Sequence, residues 1–200
     1  SIMDADPSLA LPIHLDSPMA VDATKIYCRH PEEQGLCNID FRPGSNPIFG
    51  ANVFLHRTRD ESMRLNELAG PRLILSSSGM MTGGRVLHHL RRLLPDPKNV
   101  VVLVGYQAPG TRGWRLKQGE TYVRIHGGDV QVRARVTEIG GLSAHADSTQ
   151  LLRWVRDLAP PTRTFVVHGD GAAPAALARR LERELGFSCV APGLGDSFEL

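Results

Sequence analysis

The fold is decided by residues 72–106, which read RLILSSSGMMTGGRVLHHLRRLLPDPKNVVVLVGY. The apolar run at 72–76 predicts a β-strand, and the β-branched run at 99–106 predicts a second strand that is covered on both faces. Between them, apolar residues recur at helical spacing up to a proline, at Val86, Leu87, Leu90, Leu93 and Leu94. A strand, a helix and a strand in this order predict a parallel sheet in an α/β fold.

The segments on either side continue this alternation. Upstream, the pattern predicts strands at 12–15 and 53–55, helices from Pro18 and at 60–68, and a loop rich in Pro and Gly at 35–52. Downstream, it predicts a hairpin of 122–125 with 130–136, helices at 148–158 and from Pro174 to Gly186, and strands at 164–167 and 189–190. We therefore expect an α/β fold: a three-layer sandwich with a mainly parallel, Rossmann-like sheet over 11–126, and a smaller β/α segment over 127–200. Residues 1–10 show no periodicity, and we expect them to be a disordered lead-in.

The composition excludes several classes of protein. A chain of 200 residues that is 42% hydrophobic and 22% charged is neither collagen, nor coiled coil, nor wholly disordered. Its apolar runs stop far short of the roughly 20 residues that cross a bilayer, so we expect a cytoplasmic protein without a membrane partner. Three cysteines without a C-x-x-C spacing indicate free thiols.

The charge is unevenly distributed along the chain. The formal net charge is only +2, but residues 72–135 hold eleven basic and three acidic residues, which leaves this stretch at +8 and the remainder at −6. A polyanion would bind the middle of the chain. The alternative is that these bases lie on solvated faces of amphipathic helices and strands.

Four segments place polar groups just after predicted strands, where ligands gather in α/β sheets. Residues 76–85 offer hydroxyls, amides and an arginine at the start of a helix, which favours an anion site over a merely permissive turn. Residues 105–113 have a glycine spacing similar to a P-loop but lack its Lys-Ser/Thr pair. Residues 140–147 hold a serine near a histidine without the glycine of a nucleophile elbow. Residues 166–170 place His168 at a strand end, where it is either structural or a ligand.

Five motifs, taken in order, resemble the β-CASP branch of the metallo-β-lactamase superfamily, the zinc-dependent nucleases of RNA processing and DNA repair. They are LDSPMA at 15–20, SGM with GGR at 78–85, GYQA with GT at 105–111, SAHAD at 143–147 and VHGD at 167–170. The likeness to RNA exonucleases and endonucleases covers residue 12 to the end. It implies that 11–126 is a substrate-specificity domain and that 127–200 is the returning segment of a metallo-β-lactamase-like domain.

The resemblance also implies roles for individual residues. His145 would contact the scissile phosphate and donate a proton to the leaving oxygen, and His168 would be a zinc ligand. The expected contacts to the phosphates of single-stranded RNA are Ser78, Gly79, Gly83, Gly84, Arg85, Gln107, Thr111, Arg112, Ser143 and Ala144. A zinc-bound hydroxide would attack phosphorus in such an enzyme.

The chain departs from the family pattern in one major respect. The H-x-H-x-D-H run of metal ligands occurs nowhere in it, and a catalytic zinc needs about three protein ligands. We therefore expect an RNA-specificity fragment of a zinc-dependent ribonuclease, inactive without an N-terminal metal-binding half, with zinc absent or weakly bound. Its last segment is expected to expose apolar surface and to allow a homodimer. Smaller departures are Trp114, Leu142 and Asp170, where the family commonly has arginine, phenylalanine and glutamate.

Two alternatives remain at this stage. The chain would be a non-catalytic RNA-binding module if catalysis has been lost, or part of a DNA-directed nuclease of the same branch. Retention of both His145 and His168 favours an active parent, and the histidine at 168 favours RNA, because DNA-repair members usually lack histidine there.

Overall fold

A computed structural model of the chain describes residues 11–30, 52–142 and 145–199. The lead-in expected at 1–10 and all but the last residue of the loop expected at 35–52 lie outside the described residues. The chain divides into two compact units, Ser1–Ser143 and Ala144–Leu200, and each is described by itself.

The elements of the first unit alternate in type along most of its length. They are β1 (Ile13–Asp16), α1 (Pro18–Tyr27), β2 (Val53–Leu55), α2 (Arg59–Arg64), β3 (Leu73–Ser76), α3 (Val86–Leu93), β4 (Val100–Leu103), α4 (Arg112–Lys117), β5 (Tyr122–Ile125), β6 (Gly128–Gln131) and β7 (Arg135–Glu138). Short 3₁₀ turns at Leu65–Glu67 and Gly140–Leu142 follow α2 and β7.

Two small parallel sheets organise this unit. Strand β1 lies between β2 and β3 and is parallel to both, with Leu15 opposite Leu55 and Leu75. Strand β4 pairs in parallel with β7, and β5 forms an antiparallel hairpin with β6. The predicted α/β class with a mainly parallel arrangement is confirmed.

In the described sheets β3 pairs with β1, whereas β4 pairs with β7. One detail of the predicted topology is wrong. The hairpin strand predicted at 130–136 is two strands, since the chain turns after Gln131. There the amides of Arg133 and Ala134 both donate to the carbonyl of Leu94, at 2.8 and 2.9 Å, and the chain leaves the hairpin to reach β4.

The core of this unit is built on α3, as the apolar spacing predicts. Leu87, Leu90 and Leu94 are buried there, and they pack in one cluster with Leu103 of β4 and Leu116 of α4. Burying a leucine side chain contributes about 2 kcal/mol, so this cluster holds α3 and α4 against the strands.

The expectation that β4 is covered on both faces is wrong in this structure. Leu103 is 2% exposed, whereas Val100 and Val102, on the opposite face, are 45% and 40% exposed. A continuous β-branched run does not distinguish a strand buried on two faces from one buried on a single face.

The second unit repeats the β/α theme with α5 (Ser148–Val155), β8 (Thr164–Phe165), α6 (Ala173–Leu185) and β9 (Cys189–Val190). Strands β8 and β9 are parallel. The buried residues are Leu152, Val166, Ala178, Leu181 and Phe187. Gly186 ends α6 with a φ of 70°, the left-handed cap that glycine adopts without strain.

The second unit exposes apolar side chains, as the sequence predicts. Trp154 is 77% exposed, and Leu158 is more than half exposed. The strand predicted at 164–167 ends at Phe165, and Val167 beyond it is more than half exposed rather than buried. In the described part of the chain, none of the helices has the length and apolar character needed to cross a membrane.

Candidate functional site

A buried carboxylate lies at the carboxyl end of β1. Asp16 has no exposed surface and accepts hydrogen bonds from three side chains. Ser62 Oγ donates to Oδ2 at 2.6 Å, His89 Nε2 donates to Oδ2 at 2.7 Å, and Arg85 Nη1 donates to Oδ1 at 2.7 Å. These contacts join β1, α2 and the start of α3 at one point.

The three donors keep Asp16 ionised. Burial alone raises the pKa of this carboxyl, but the hydrogen bonds from Ser62, His89 and Arg85 outweigh burial, so its pKa is lowered. A buried charge of this kind is tolerated only while its partners remain.

Arg85 is committed to protein atoms. Besides its contact with Asp16, Nη1 donates to the carbonyl of His56 at 3.0 Å and Nη2 donates to that of Arg57 at 2.7 Å. Its side chain is 22% exposed. Arg85 therefore lies where the sequence placed it, at the start of α3, but its guanidinium group points into the unit.

The turn between β3 and α3, residues 76–84, is fastened to the end of β1. Ser76 Oγ donates to the Asp16 carbonyl at 3.3 Å, and the hydroxyls of Ser17 and Ser77 lie 2.9 Å apart. Gly84 has a φ of 79°, and a Cβ there would lie 2.8 Å from the Ser77 carbonyl oxygen, so the close approach requires glycine. We call residues 76–84 the serine turn.

The serine turn presents polar groups to solvent. The hydroxyls of Ser78 and Thr82 lie 3.1 Å apart, and Gly79 and Thr82 are exposed. The amides at the start of α3 are less available than expected, because Val86 N donates to Ser77 O at 3.3 Å. The candidate anion donors are thus the hydroxyls and the exposed amides of the turn.

The segment after β4 supports the serine turn from another direction. Gln107 is buried, and its Nε2 donates to the Gly79 carbonyl at 3.1 Å. Arg112 Nη1 donates to the Met81 carbonyl at 3.1 Å, and its Nε donates to the carbonyl of Arg124. Gly113 N donates to Met80 O at 3.1 Å.

Thr111 acts as a helix cap in this structure. Its hydroxyl oxygen accepts the Trp114 amide at 3.2 Å and donates to the Ala108 carbonyl at 2.6 Å, so it starts α4. Gln107, Thr111 and Arg112 therefore make backbone contacts that fix the loop beside the serine turn.

The basic stretch divides into paired and unpaired charges. Arg115 pairs with Glu120 at 2.6 Å, and Lys117 pairs with Glu138 at 2.9 Å. Within this stretch, all of which the structure describes, five exposed bases make no ion pair: Arg91, Arg92, Lys98, Arg133 and Arg135. These are the charges of the stretch that remain available to a polyanion.

His145 lies in the second unit just before α5. It is exposed, and the helix that follows is fixed by a capping box in which Asp147 accepts the Gln150 amide at 2.8 Å and Gln150 Oε1 accepts the Asp147 amide at 2.9 Å. Asp147 of the SAHAD motif is thus engaged in capping. Ser143 and Ala144 lie outside the described residues.

His168 follows β8 in an unusual backbone conformation. Its φ is 62°, in the left-handed region, and Gly169 follows at 139°. The side chain is exposed. A non-glycine residue held in this region costs about 1 kcal/mol or more and is often found at functional sites.

The described residues do not fit a catalytic zinc by themselves. Among residues 11–30, 52–142 and 145–199, no group of three or more His, Cys, Asp or Glu side chains is placed to hold a metal ion. His168 alone falls short of the three ligands that a catalytic site uses.

Comparison with known proteins identifies the family. The Beta-Casp domain model matches residues 2–116, and the model of a Zn-dependent metallo-hydrolase RNA specificity domain matches residues 129–192. The chain belongs to the β-CASP family of the metallo-β-lactamase superfamily.

Two relatives are similar over most of the chain. Ribonuclease TTHA0252 of Thermus thermophilus is 38% identical over 173 residues, which is 85% of this chain and 39% of the relative. Transcription termination factor FttA of Pyrococcus horikoshii is 34% identical over 203 residues, which is 96% of this chain and 31% of the relative. The chain thus spans about a third of the length of these relatives.

Sequence reasoning missed three residues of this site. Asp16 is noted only as part of the LDSPMA motif, and its buried partners Ser62 and His89 lie outside the four segments chosen for their polar groups. His89 carries one usable signal, because it lies three residues after Val86 and four before Leu93, at the edge of the apolar face of α3.

We predict that Gly113→Ala destabilises the first unit. A Cβ at this position would overlap the Gln107 side-chain amide, which is held by the carbonyls of Gly79 and Gly105. We expect a loss of about 1–3 kcal/mol in the free energy of unfolding, measured in urea. Gly105→Ala is the control, since a Cβ there meets open space; equal losses in the two variants would contradict the prediction.

We predict that the stabilising effect of Asp16 depends on pH. Its pKa is lower in the folded chain than in the unfolded chain, so the stabilisation is complete above the unfolded pKa and disappears as pH falls through the folded one. Asp16→Asn should cost about 3 kcal/mol near pH 7. The difference from wild type should shrink below about pH 4.

Urea unfolding of both proteins between pH 3 and 7 measures this difference. Other carboxylates with lowered pKa, such as Glu61 and Glu120, are present in both proteins and cancel. A difference that stays constant over this range would show that Asp16 is not ionised in the folded chain.

Proposed function

We propose that this chain is the RNA-backbone recognition part of a zinc-dependent ribonuclease. The observation that carries the proposal is the serine turn, a set of hydroxyls and amides that is exposed at Gly79 and Thr82 and whose backbone is held by the buried Gln107 and the half-buried Arg112. Such a turn offers a phosphate several donors without reorganisation.

Two further observations support RNA as the ligand. The second half of the chain matches a model described as an RNA specificity domain, and one relative is named a ribonuclease. The unpaired bases of the 72–135 stretch supply positive charge that attracts a phosphate backbone. In this proposal the phosphates are contacted by Ser78, Gly79, Gly83, Gly84, Ser143 and Ala144, with Arg85, Gln107, Thr111 and Arg112 at the back of the site.

The proposal assigns different roles to the two histidines. His168 supplies one zinc ligand and His145 protonates the leaving oxygen, while the remaining ligands come from an N-terminal half of the parent protein. The support is that both imidazoles are exposed and that the described residues lack a complete ligand set. The isolated chain is then inactive. The domain boundary at 126/127 and the homodimer also remain predictions.

We predict salt-dependent binding of single-stranded RNA by the 200-residue chain. The logarithm of the association constant should fall linearly with the logarithm of salt concentration, with a slope of about −0.7 for each phosphate contact. Fluorescence anisotropy with a labelled oligoribonucleotide measures it.

The double variant Ser78→Ala, Thr82→Ala should weaken binding about tenfold, because it removes two exposed hydroxyl donors. Thr149→Ala, on the exposed surface of α5, is the control for loss of one hydroxyl. Absence of RNA binding by the wild-type chain, or unchanged binding by the double variant, would contradict the recognition role of the turn.

A second prediction concerns a longer parent protein that includes this chain. His168→Ala should reduce zinc content measured by atomic emission, whereas His145→Ala should retain zinc and slow RNA hydrolysis by about 10²-fold or more. Full zinc content in His168→Ala would remove this residue from the ligand set, and normal turnover in His145→Ala would remove the proton donor.

A further inference from the structure

Asp16 and Arg85 form an ion pair beside the serine turn. What this ion pair does for RNA binding rests on the proposed function. We infer that Asp16 is the positioning residue of the serine turn, with Arg85 as its counter-ion, and that Arg85 makes no contact with RNA phosphate.

The Arg85 guanidinium group donates hydrogen bonds to protein atoms. It meets the Asp16 carboxylate and two backbone carbonyls, those of His56 and Arg57. The positive charge of Arg85 is therefore compensated by the carboxylate of Asp16, which has no solvent exposure. The Nη1 and Nη2 groups of the planar guanidinium both donate to protein atoms. These bonds use three of the five N–H groups of Arg85, so a phosphate contact would have to be made by Nε or by the second Nη2 hydrogen, on a charge that Asp16 already compensates.

Contacts at both ends of the serine turn connect it to the end of β1. Arg85 directly follows the turn in the chain, so fixing its guanidinium group fixes the downstream end of the turn. The upstream end is fixed by Ser76 and Ser77, which contact the Asp16 carbonyl and Ser17 Oγ. Both ends of the turn are therefore held by contacts with Asp16 and Ser17, two adjacent residues at the end of β1.

Ser62 and His89 fix the orientation of the Asp16 carboxylate. They fill the second carboxylate oxygen, Oδ2, so Asp16 has one orientation, and this orientation directs Oδ1 at Arg85. His89 is held in turn by Asn66, whose Oδ1 lies 3.3 Å from its Nδ1. These residues position the turn through Asp16 and do not touch the ligand.

Amide hydrogen exchange of the full chain without RNA tests the positioning role. Two reporter amides lie in or beside the turn, Met81 N bonded to Ser78 O and Val86 N bonded to Ser77 O. Two reference amides lie away from it, Val132 N bonded to Thr121 O and Ala134 N bonded to Leu94 O. In Ser62→Ala and Asp16→Asn the reporter amides should accelerate about tenfold more than the reference amides, whose own acceleration reports the loss of global stability.

A purely structural role would accelerate all four amides together, and that result overturns the inference. Unchanged exchange at the reporter amides in both variants also overturns it. Ser62→Ala is the milder change and keeps the test decisive if Asp16→Asn fails to fold. His89→Gln, which retains a side-chain donor, should show less acceleration of the reporter amides than His89→Ala.

RNA binding by Arg85→Ala separates positioning from direct contact. We expect affinity for single-stranded RNA to fall about tenfold at fixed salt, with the salt slope unchanged from wild type. A slope smaller by about 0.7 would show that Arg85 contacts a phosphate and would overturn the inference. Arg64→Ala is the matched control, because it removes the same charge from an exposed position on α2, outside the 72–135 stretch.

The two proposals fail in different ways. If the wild-type chain does not bind RNA, the proposed function fails, and the exchange comparison still decides whether Asp16 positions the turn. If RNA binds and the reporter amides do not respond, the positioning role fails and the recognition role remains.

Discussion

The architecture of the first unit depends on a charge that has been removed from water. Asp16 ends the central strand of the first sheet, and its carboxylate is satisfied by side chains from two different helical segments and from the residue that begins α3. Since an unpaired carboxylate in this place would be strongly destabilising, the unit has few alternatives to the observed arrangement. The same contact fixes where the chain enters α3, and so where the serine turn lies.

The fate of the basic residues follows from this arrangement. The sequence shows a stretch with a large positive excess, but position along the chain does not tell which bases face solvent. The resemblance placed two arginines against phosphate, and both donate hydrogen bonds to protein atoms. Arg85 donates to a carboxylate and to carbonyls, and Arg112 donates to carbonyls. The charge available at the surface therefore comes from residues that no motif contains, such as Arg91 and Arg133.

Local features of the fold could be predicted from the sequence, and long-range pairings could not. Helix α3 and the end of α6 at Gly186 follow from apolar spacing and from the freedom of glycine, and both are confirmed. The pairing of β4 with β7 depends on a turn at 132–134 that carries no Gly or Pro signal. The Asp16–Arg85 contact joins residues 69 positions apart, and nothing in either neighbourhood indicates the other. The family followed from motif order, which records the outcome of such pairings without giving their geometry.

The left-handed backbone at His168 has a consequence for the evolution of the chain. Glycine or asparagine would adopt that conformation with less strain, so selection for heat resistance alone would replace the imidazole. In the proposed function, where His168 is a zinc ligand, thermal robustness and ligand chemistry favour different residues at this position. Libraries screened only for survival at high temperature should therefore drift away from histidine at this one position, and that drift would reveal a trade-off that the packed core does not impose.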